Sequence, residues 1–368
     1  MIDKTNCDKA NIDKTGVDKA GIDKTGFESY LAGKFGEASL LSLTPLGEGA
    51  HGTGYLALVD TPAGVRKYVV KEIGHREDLG HLYPSDRAAV FLLAFDEYGN
   101  LPRHVRPVDV LSQHGDGSLH SVSGGVEYYL VMELAEGVNY FSDLHSMGNA
   151  TGLDAADARK IDVLARYLSE IHAVKIDSKA HYYRKLRDTI GHGECIMGVF
   201  DSYPEGTISF GEMAGVEKKC IDWRAKLKPR YERLSEIHGD FHPGNILFTG
   251  PEDFVLLDRS RGPWGDTADD VTALAINYVF FSIIYHGTVE KAYFEGLNLL
   301  FRRYVELTGD EEILKVTAPF FAFRGVVVAN PKFYPDVTPY QRAMIFRFIN
   351  NVLDSESFDP AGVNEYLK

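Results

Sequence analysis

From Leu43 to Val70 apolar and polar residues alternate, and Gly and Pro interrupt the alternation. A period of two sends successive side chains to opposite faces, so this stretch predicts strands joined by hairpins. Residues 28–36 predict a short opening helix before it. Over 85–97 the period changes: Ala88, Ala89, Leu92, Leu93 and Phe95 recur at helical spacing. Further strands are expected at 106–112 and 126–134, and a turn near Gly137 closes this half. The second half reads as mostly helical. Ile161, Leu164, Ala165, Leu168 and Ile171 share one face of a helix over 158–173. Residues 267–286 are apolar nearly all round, which predicts a buried helix rather than a surface one. Residues 290–307 and 338–353 also carry helical spacing. A strand-rich first part followed by a helix-rich second part predicts an α+β chain of two lobes. A cleft between lobes is a usual place for a ligand.

Residues 2–26 follow neither period. They repeat every five residues, from Ile2-Asp3-Lys4-Thr5-Asn6 to Ile22-Asp23-Lys24-Thr25-Gly26. One apolar residue in five buries too little to offset the entropy of ordering the segment. The expectation is a disordered pentad-repeat tail over 1–26, with oligomerisation or docking as its alternative role. A first lobe is expected over 27–136 and a helical second lobe over 137–368.

Composition narrows the class. With 368 residues and 44% hydrophobic content, the chain has material for one large core or two separate ones. No run of 18 apolar residues predicts a membrane-spanning helix. The first residues lack the basic start and apolar core of a signal peptide. Cys7, Cys195 and Cys220 are too scattered for a disulfide framework or a metal cluster, so a cytoplasmic location is expected. A formal net charge of -14 repels nucleic acid and anionic lipid, and neither is expected as a partner. The charge is compatible with a cationic substrate; it also serves plain solubility.

The chemistry concentrates in His238-Gly239-Asp240-Phe241-His242-Pro243-Gly244-Asn245, followed by Ile246-Leu247-Phe248. Thirteen residues after Asn245 comes Asp258, closing the apolar run Phe254-Val255-Leu256-Leu257. Phosphoryl transfer needs a carboxylate to orient a hydroxyl and take its proton, and hard oxygen ligands to hold Mg²⁺ on the phosphates. Asp240 suits the first role, and Asn245 and Asp258 the second. The Asp-x-x-x-x-Asn spacing lets one rigid loop present both to the same phosphate. Gly239, Pro243 and Gly244 suit a tight loop. His238 and His242 read more simply as packed, hydrogen-bonded histidines than as bases.

This stretch resembles the catalytic loop of the aminoglycoside phosphotransferase and choline kinase-like family. The resemblance runs in order over roughly residues 43–305, and the loop is its most specific part. It implies a protein kinase-like, two-lobed fold, with nucleotide held by the first lobe and catalysis and acceptor binding in the second. It makes Asp240 the catalytic base and Asn245 and Asp258 the Mg²⁺ ligands. Asp266, in Gly265-Asp266-Thr267-Ala268-Asp269-Asp270, falls where the family braces the catalytic loop, with His238 as further support. Gly47, Gly49 and Gly52 fit a Gly-x-Gly-x-x-Gly pattern that lets backbone N–H groups approach phosphates. Nineteen residues on, Lys71 closes Tyr68-Val69-Val70-Lys71, the strand whose lysine would bind the α- and β-phosphates. Its alternative is an exposed strand lysine. Glu133 and Ala135 resemble the hinge that pairs with the nucleotide base; a buried strand is the alternative there.

Three departures qualify the resemblance. The acidic partner of Lys71 is either Asp86, on the following helix, or Glu77. Arg259 follows Asp258, and reads as the partner of an acidic neighbour more than as a phosphate contact. Gly54 stands where protein kinases place Val over adenine, which leaves ATP and GTP both open as donor. The expected function is a small-molecule O-kinase whose acceptor carries a hydroxyl and an amine. An atypical protein kinase is an alternative; against it, the chain reaches Gly265 only seven residues after Asp258. An inactive nucleotide-binding module is the other alternative; against it, Lys71, Asp240, Asn245 and Asp258 are all present. Acceptor specificity is expected in the C-terminal helices and in loops near 175–215 and 320–340.

Overall fold

A computed structural model describes residues 21–49, 52–73, 80–98, 105–126, 130 and 132–368. The chain divides into two compact units, Met1–Val131 and Met132–Lys368.

The first unit opens with α1 (Lys24–Phe35), followed by β1 (Ser39–Gly49), β2 (Gly52–Thr61) and β3 (Gly64–Lys71). These three strands form one antiparallel sheet in the order β1-β2-β3. Helix α2 (Pro84–Tyr98) and the hairpin of β4 (Leu111–Gln113) and β5 (Leu119–Ser121) complete the unit. Phe27 and Leu31 of α1 pack with Ala57 and Val59 of β2, joined by Tyr68 and Val70 of β3. The side chains of Val69 and Lys71, at the alternate positions, are exposed, as a period of two requires.

Helix α1 starts earlier than the expected 28–36. Asp23 caps it, its carboxylate accepting from the Gly26 N–H at 2.7 Å. Thr25 and Gly26, expected in the tail, therefore lie in its first turn. Gly26 packs so tightly on the Gly117 carbonyl oxygen that a Cβ there would overlap it. The last pentad thus does structural duty, and the pentads up to residue 20 lie outside the described residues. Two strand expectations need correction. The strand expected at 106–112 is reduced to Leu111–Gln113. Over 126–134 the described residues form no strand: Leu130, Met132 and Leu134 are exposed and no ladder pairs with them. An apolar run becomes a strand only where a neighbour supplies the hydrogen bonds.

The second unit runs through β6 (Val138–Asn139), α3 (Phe141–Met147), α4 (Ala155–His172), α5 (Lys179–Gly191), α6 (Ile196–Asp201) and α7 (Phe210–Leu227). The short strands β7 (Leu234–Glu236), β8 (Ile246–Phe248), β9 (Phe254–Leu256) and β10 (Trp264–Asp266) follow. Then come α8 (Ala268–His286), α9 (Lys291–Thr308), α10 (Ala318–Val328) and α11 (Pro339–Asp354). Helix α8 is buried without a break from Ala268 to Ile283, as its all-round apolar text predicts. Among the described residues it is the one helix long and apolar enough to cross a membrane, and nearly all of it is buried within the protein. The regions expected to be specificity loops are largely helical: α5 and α6 occupy 175–215, and α10 opens 320–340.

Candidate active site

Two small ladders set the catalytic loop. Strand β7 pairs antiparallel with β10, and β8 sits between β6 and β9. The loop 238–245 runs from β7 to β8. In the β8–β9 hairpin Ile246 faces Leu256, and the Leu257 N–H donates to the Asn245 carbonyl at 2.9 Å. Asn245 and Asp258 therefore leave the same end of one hairpin. The Asn245 amide N–H₂ donates to the Asp240 carbonyl at 3.0 Å, which leaves its side-chain oxygen free to accept or ligate. Asp258 is exposed and holds φ 51°, a left-handed conformation in which a non-glycine residue is strained by about 1 kcal/mol. Its Oδ1 accepts from the Ser260 N–H at 3.2 Å, a local bond that helps an aspartate hold this turn. Gly239 has φ 86°, and a Cβ there would crowd the Gly262 carbonyl at 3.1 Å. That position requires glycine twice over.

Asp240 is buried, and its carboxylate is ion-paired with Arg324 of α10. The same guanidinium donates to the Gly239 carbonyl at 2.9 Å and to Asp269 at 2.8 Å. Arg261 Nε lies 3.5 Å from the other Asp240 oxygen, and His242 Nε2 lies 3.9 Å from it. Burial alone would raise the Asp240 carboxyl. The charges of Arg324 and Arg261 outweigh it and hold the group below the usual carboxylate range. Burial lowers both His238 and His242, against the pull of the neighbouring aspartates, so both rings favour the neutral form.

Behind the loop, Asp270 accepts from the N–H groups of His238 at 2.7 Å and Gly239 at 2.8 Å, and meets His172 Nε2 at 3.2 Å. The bracing role expected of Asp266 therefore falls, for the loop amides, to Asp270. Asp266 instead takes a two-pronged bond from Arg233 and one from the Tyr182 hydroxyl at 2.8 Å, fixing β10 and the start of α8. His238 lies behind the loop, its Nδ1 accepting from the Asp240 N–H at 3.2 Å. Arg259 pairs with Glu236 at 2.7 Å and donates to the Ile237 carbonyl. A cavity of about 580 Å³ lies beside His172, Arg233 and Asp310, yet Asp240 does not line it. Its charged groups are already engaged with one another, Arg233 with Asp310 and Arg230 with Glu312.

In the first unit, strand register puts Gly47, Gly54 and Lys71 in one row across β1, β2 and β3, with Gly49 facing Gly52 at the hairpin end. The expected phosphate-binding glycines and lysine thus share one end of one sheet. No carboxylate among the described residues pairs with Lys71. Asp86 accepts from the Tyr83 N–H at 2.8 Å at the start of α2, and Glu77 lies outside the described residues. Glu133 is exposed and Ala135 half-buried, in irregular chain rather than the buried strand that was the alternative.

Sequence reasoning missed Arg261, Lys185, Asp269, Asp270 and Arg324. The two aspartates had a signal, as adjacent acids opening an apolar helix. Arg324 had one too: it is the single charge in the apolar run Ala318–Val328. Buried charges of this kind require partners.

Residues 42–304 match the model of the phosphotransferase enzyme family. A search of curated proteins finds no match. Among solved structures, the chain is similar to an amicoumacin kinase in complex with AMP-PNP and calcium, at 13% identity over 88% of this chain and 91% of that one, with a TM-score of 0.41. It is similar to a Plasmodium vivax ethanolamine kinase at 13% identity, covering 89% and 80%, with a TM-score of 0.34. A spectinomycin phosphotransferase in complex with ADP and spectinomycin gives 13% identity, 93% and 97% coverage and a TM-score of 0.33. Likeness this distant says nothing about a shared acceptor.

Proposed function

Since the chain belongs to the phosphotransferase enzyme family, whose protein kinase-like members phosphorylate hydroxyls of small molecules, we propose that it moves the γ-phosphoryl of ATP or GTP onto a hydroxylated small molecule at Asp240. The observation that carries this is the arrangement of one loop and one hairpin. The carboxylate of Asp240 stands at the head of the loop, and Asn245 and Asp258 leave the hairpin side by side. Asp240 orients the acceptor hydroxyl and takes its proton. Its depressed basicity suits the loose transition state of phosphoryl transfer, which asks for positioning more than for a strong base. Asn245 and Asp258 offer hard oxygens for Mg²⁺, which when bound neutralises the phosphates. Gly47, Gly49 and Gly52 let backbone approach the phosphates, Lys71 meets the α- and β-phosphates, and backbone at Glu133 and Ala135 meets the base. The short path from β9 to β10 supports a small acceptor over a docked peptide.

The surroundings of Asp240 bear on the acceptor. Net charge suggested an amine. The groups packed on Asp240 are instead the guanidiniums of Arg324 and Arg261 and the ring of His242, and Asp269 is already paired with Lys185 and Arg324. Phe323 lies under both guanidiniums. A cation would meet like charge here, so we read the acceptor as neutral or anionic. The test incubates the protein with MgATP or MgGTP and a panel of sugars, hydroxy acids, macrolides, aminoglycosides and amino alcohols, following phosphate transfer by ³¹P NMR. Transfer to a neutral or anionic hydroxyl is expected. Transfer to aminoglycosides or amino alcohols alone would overturn the acceptor reading, and nucleotide binding with transfer neither to any compound nor to water would overturn the kinase reading.

A further inference from the structure

Arg324 lies beyond residue 304, where the family match ends, on a helix whose remaining residues are apolar. Its guanidinium is buried and reaches three acceptors on two segments: an Asp240 oxygen and the Gly239 carbonyl at 2.9 Å in the loop, and Asp269 at 2.8 Å in α8. The Phe323 ring lies 4.4 Å away and limits its tilt. Asp269 is held in turn by Lys185 at 2.7 Å. The result is a buried row of alternating charge, Lys185, Asp269, Arg324, Asp240. Such rows cost desolvation that an apolar core does not, so packing alone is a weak reason for one.

The geometry has a directional outcome. Arg324 occupies Oδ1 of Asp240. Oδ2 has Arg261 at 3.5 Å and His242 at 3.9 Å, both too long for a firm hydrogen bond. One oxygen is clamped and the other is left to receive. We propose that Arg324 is a positioning residue for phosphoryl transfer: it locks the Asp240 carboxylate and the carbonyl before it, so that Oδ2 meets the acceptor hydroxyl. This rests on the reading of Asp240 given above. An arginine is needed because a planar fork can serve three acceptors at once, whereas an ammonium carries charge without that geometry.

Arg324→Lys keeps the charge and loses the fork. The experiment measures kcat and KM of the unmodified chain, Arg324→Lys and Asp269→Asn with MgATP and the acceptor returned by the panel, or with water if none is returned. Mg²⁺-AMP-PNP affinity by calorimetry and the unfolding transition are followed in parallel. Expected for Arg324→Lys is a kcat lowered about tenfold or more, with AMP-PNP affinity within about twofold and cooperative unfolding retained. Asp269→Asn, which keeps the clamp and removes its anchor, should lose about threefold or more. A folded Arg324→Lys with unmodified kcat overturns the proposal. Should that variant not fold, Asp269→Asn decides, and unmodified kcat there overturns it. An unmodified chain that binds nucleotide but transfers phosphate neither to a compound nor to water overturns the parent reading as well, and shows this before any variant is made.

Discussion

That Asp240, Asn245 and Asp258 lie close in the fold was legible, because one contiguous loop and one short hairpin carry all three, and spacing carries information over so short a range. Arg324 was not, because its partner lies 84 positions away and only packing brings them together. Two predictions belong at this scale. Asp240→Asn keeps shape and removes the charge, so turnover should fall by about 10²–10⁴ while nucleotide affinity persists. Steady-state kinetics beside calorimetry checks this, and a variant keeping most of its turnover would remove Asp240 from its role. Asn245→Ala and Asp258→Ala should each weaken nucleotide binding in Mg²⁺ and leave the metal-free affinity unchanged, since each deletes a cation ligand. Equal losses with and without Mg²⁺ would point to damage of the hairpin instead.

Among the elements, α8 was the most legible, since an all-round apolar helix has one place to go. Helix α5 was not read, because the mixed polar text of Lys179–Gly191 hides a helix behind side chains whose partners lie elsewhere in the fold; α6 and α10 were not read, because short apolar runs carry no period that separates helix from strand. The start of α8 shows what such partners do. Asp269 is fully buried, and burial alone would raise its carboxyl. Lys185 and Arg324 outweigh that and hold it down to about 2. A carboxyl depressed when folded contributes stability that is present above its unfolded value near ~3.9 and is lost as pH falls through the folded one. Asp269→Asn should therefore destabilise the protein at pH 7, by about 3 kcal/mol or more, since two buried cations lose a counter-charge. The gap to the unmodified chain should close as pH falls from about 4 toward 2. Urea unfolding across that range measures it, and a gap independent of pH would show that Asp269 acts by shape rather than charge.

For the whole molecule, the division into a strand-rich first unit and a helical second one was legible, because a change of hydrophobic period spans many residues. The boundary of the tail was not, because Ile22 to Gly26 repeats the pentad and still folds: Ile22 packs near Phe27, and the Asp23 N–H donates to Gln113 at 2.8 Å. Removing residues 1–21 should leave the melting temperature unchanged, and removing 1–26 should lower it by several degrees. Calorimetry on the two shortened chains separates them. Equal melting temperatures would place the whole repeat outside the fold.

The clamp on Asp240 also bears on how such an enzyme can be re-tailored. Helix α10 supplies both Phe323, whose ring lies under the guanidiniums of Arg261 and Arg324, and Arg324 itself, which pairs with the Asp240 carboxylate. Shape and reactivity are therefore inherited on one segment. A chimaera spliced just after residue 304 would import a foreign α10 and cut the ion pair between Arg324 and Asp240. Cassette exchange in this chain should succeed only where the donor helix brings a guanidinium to the same turn.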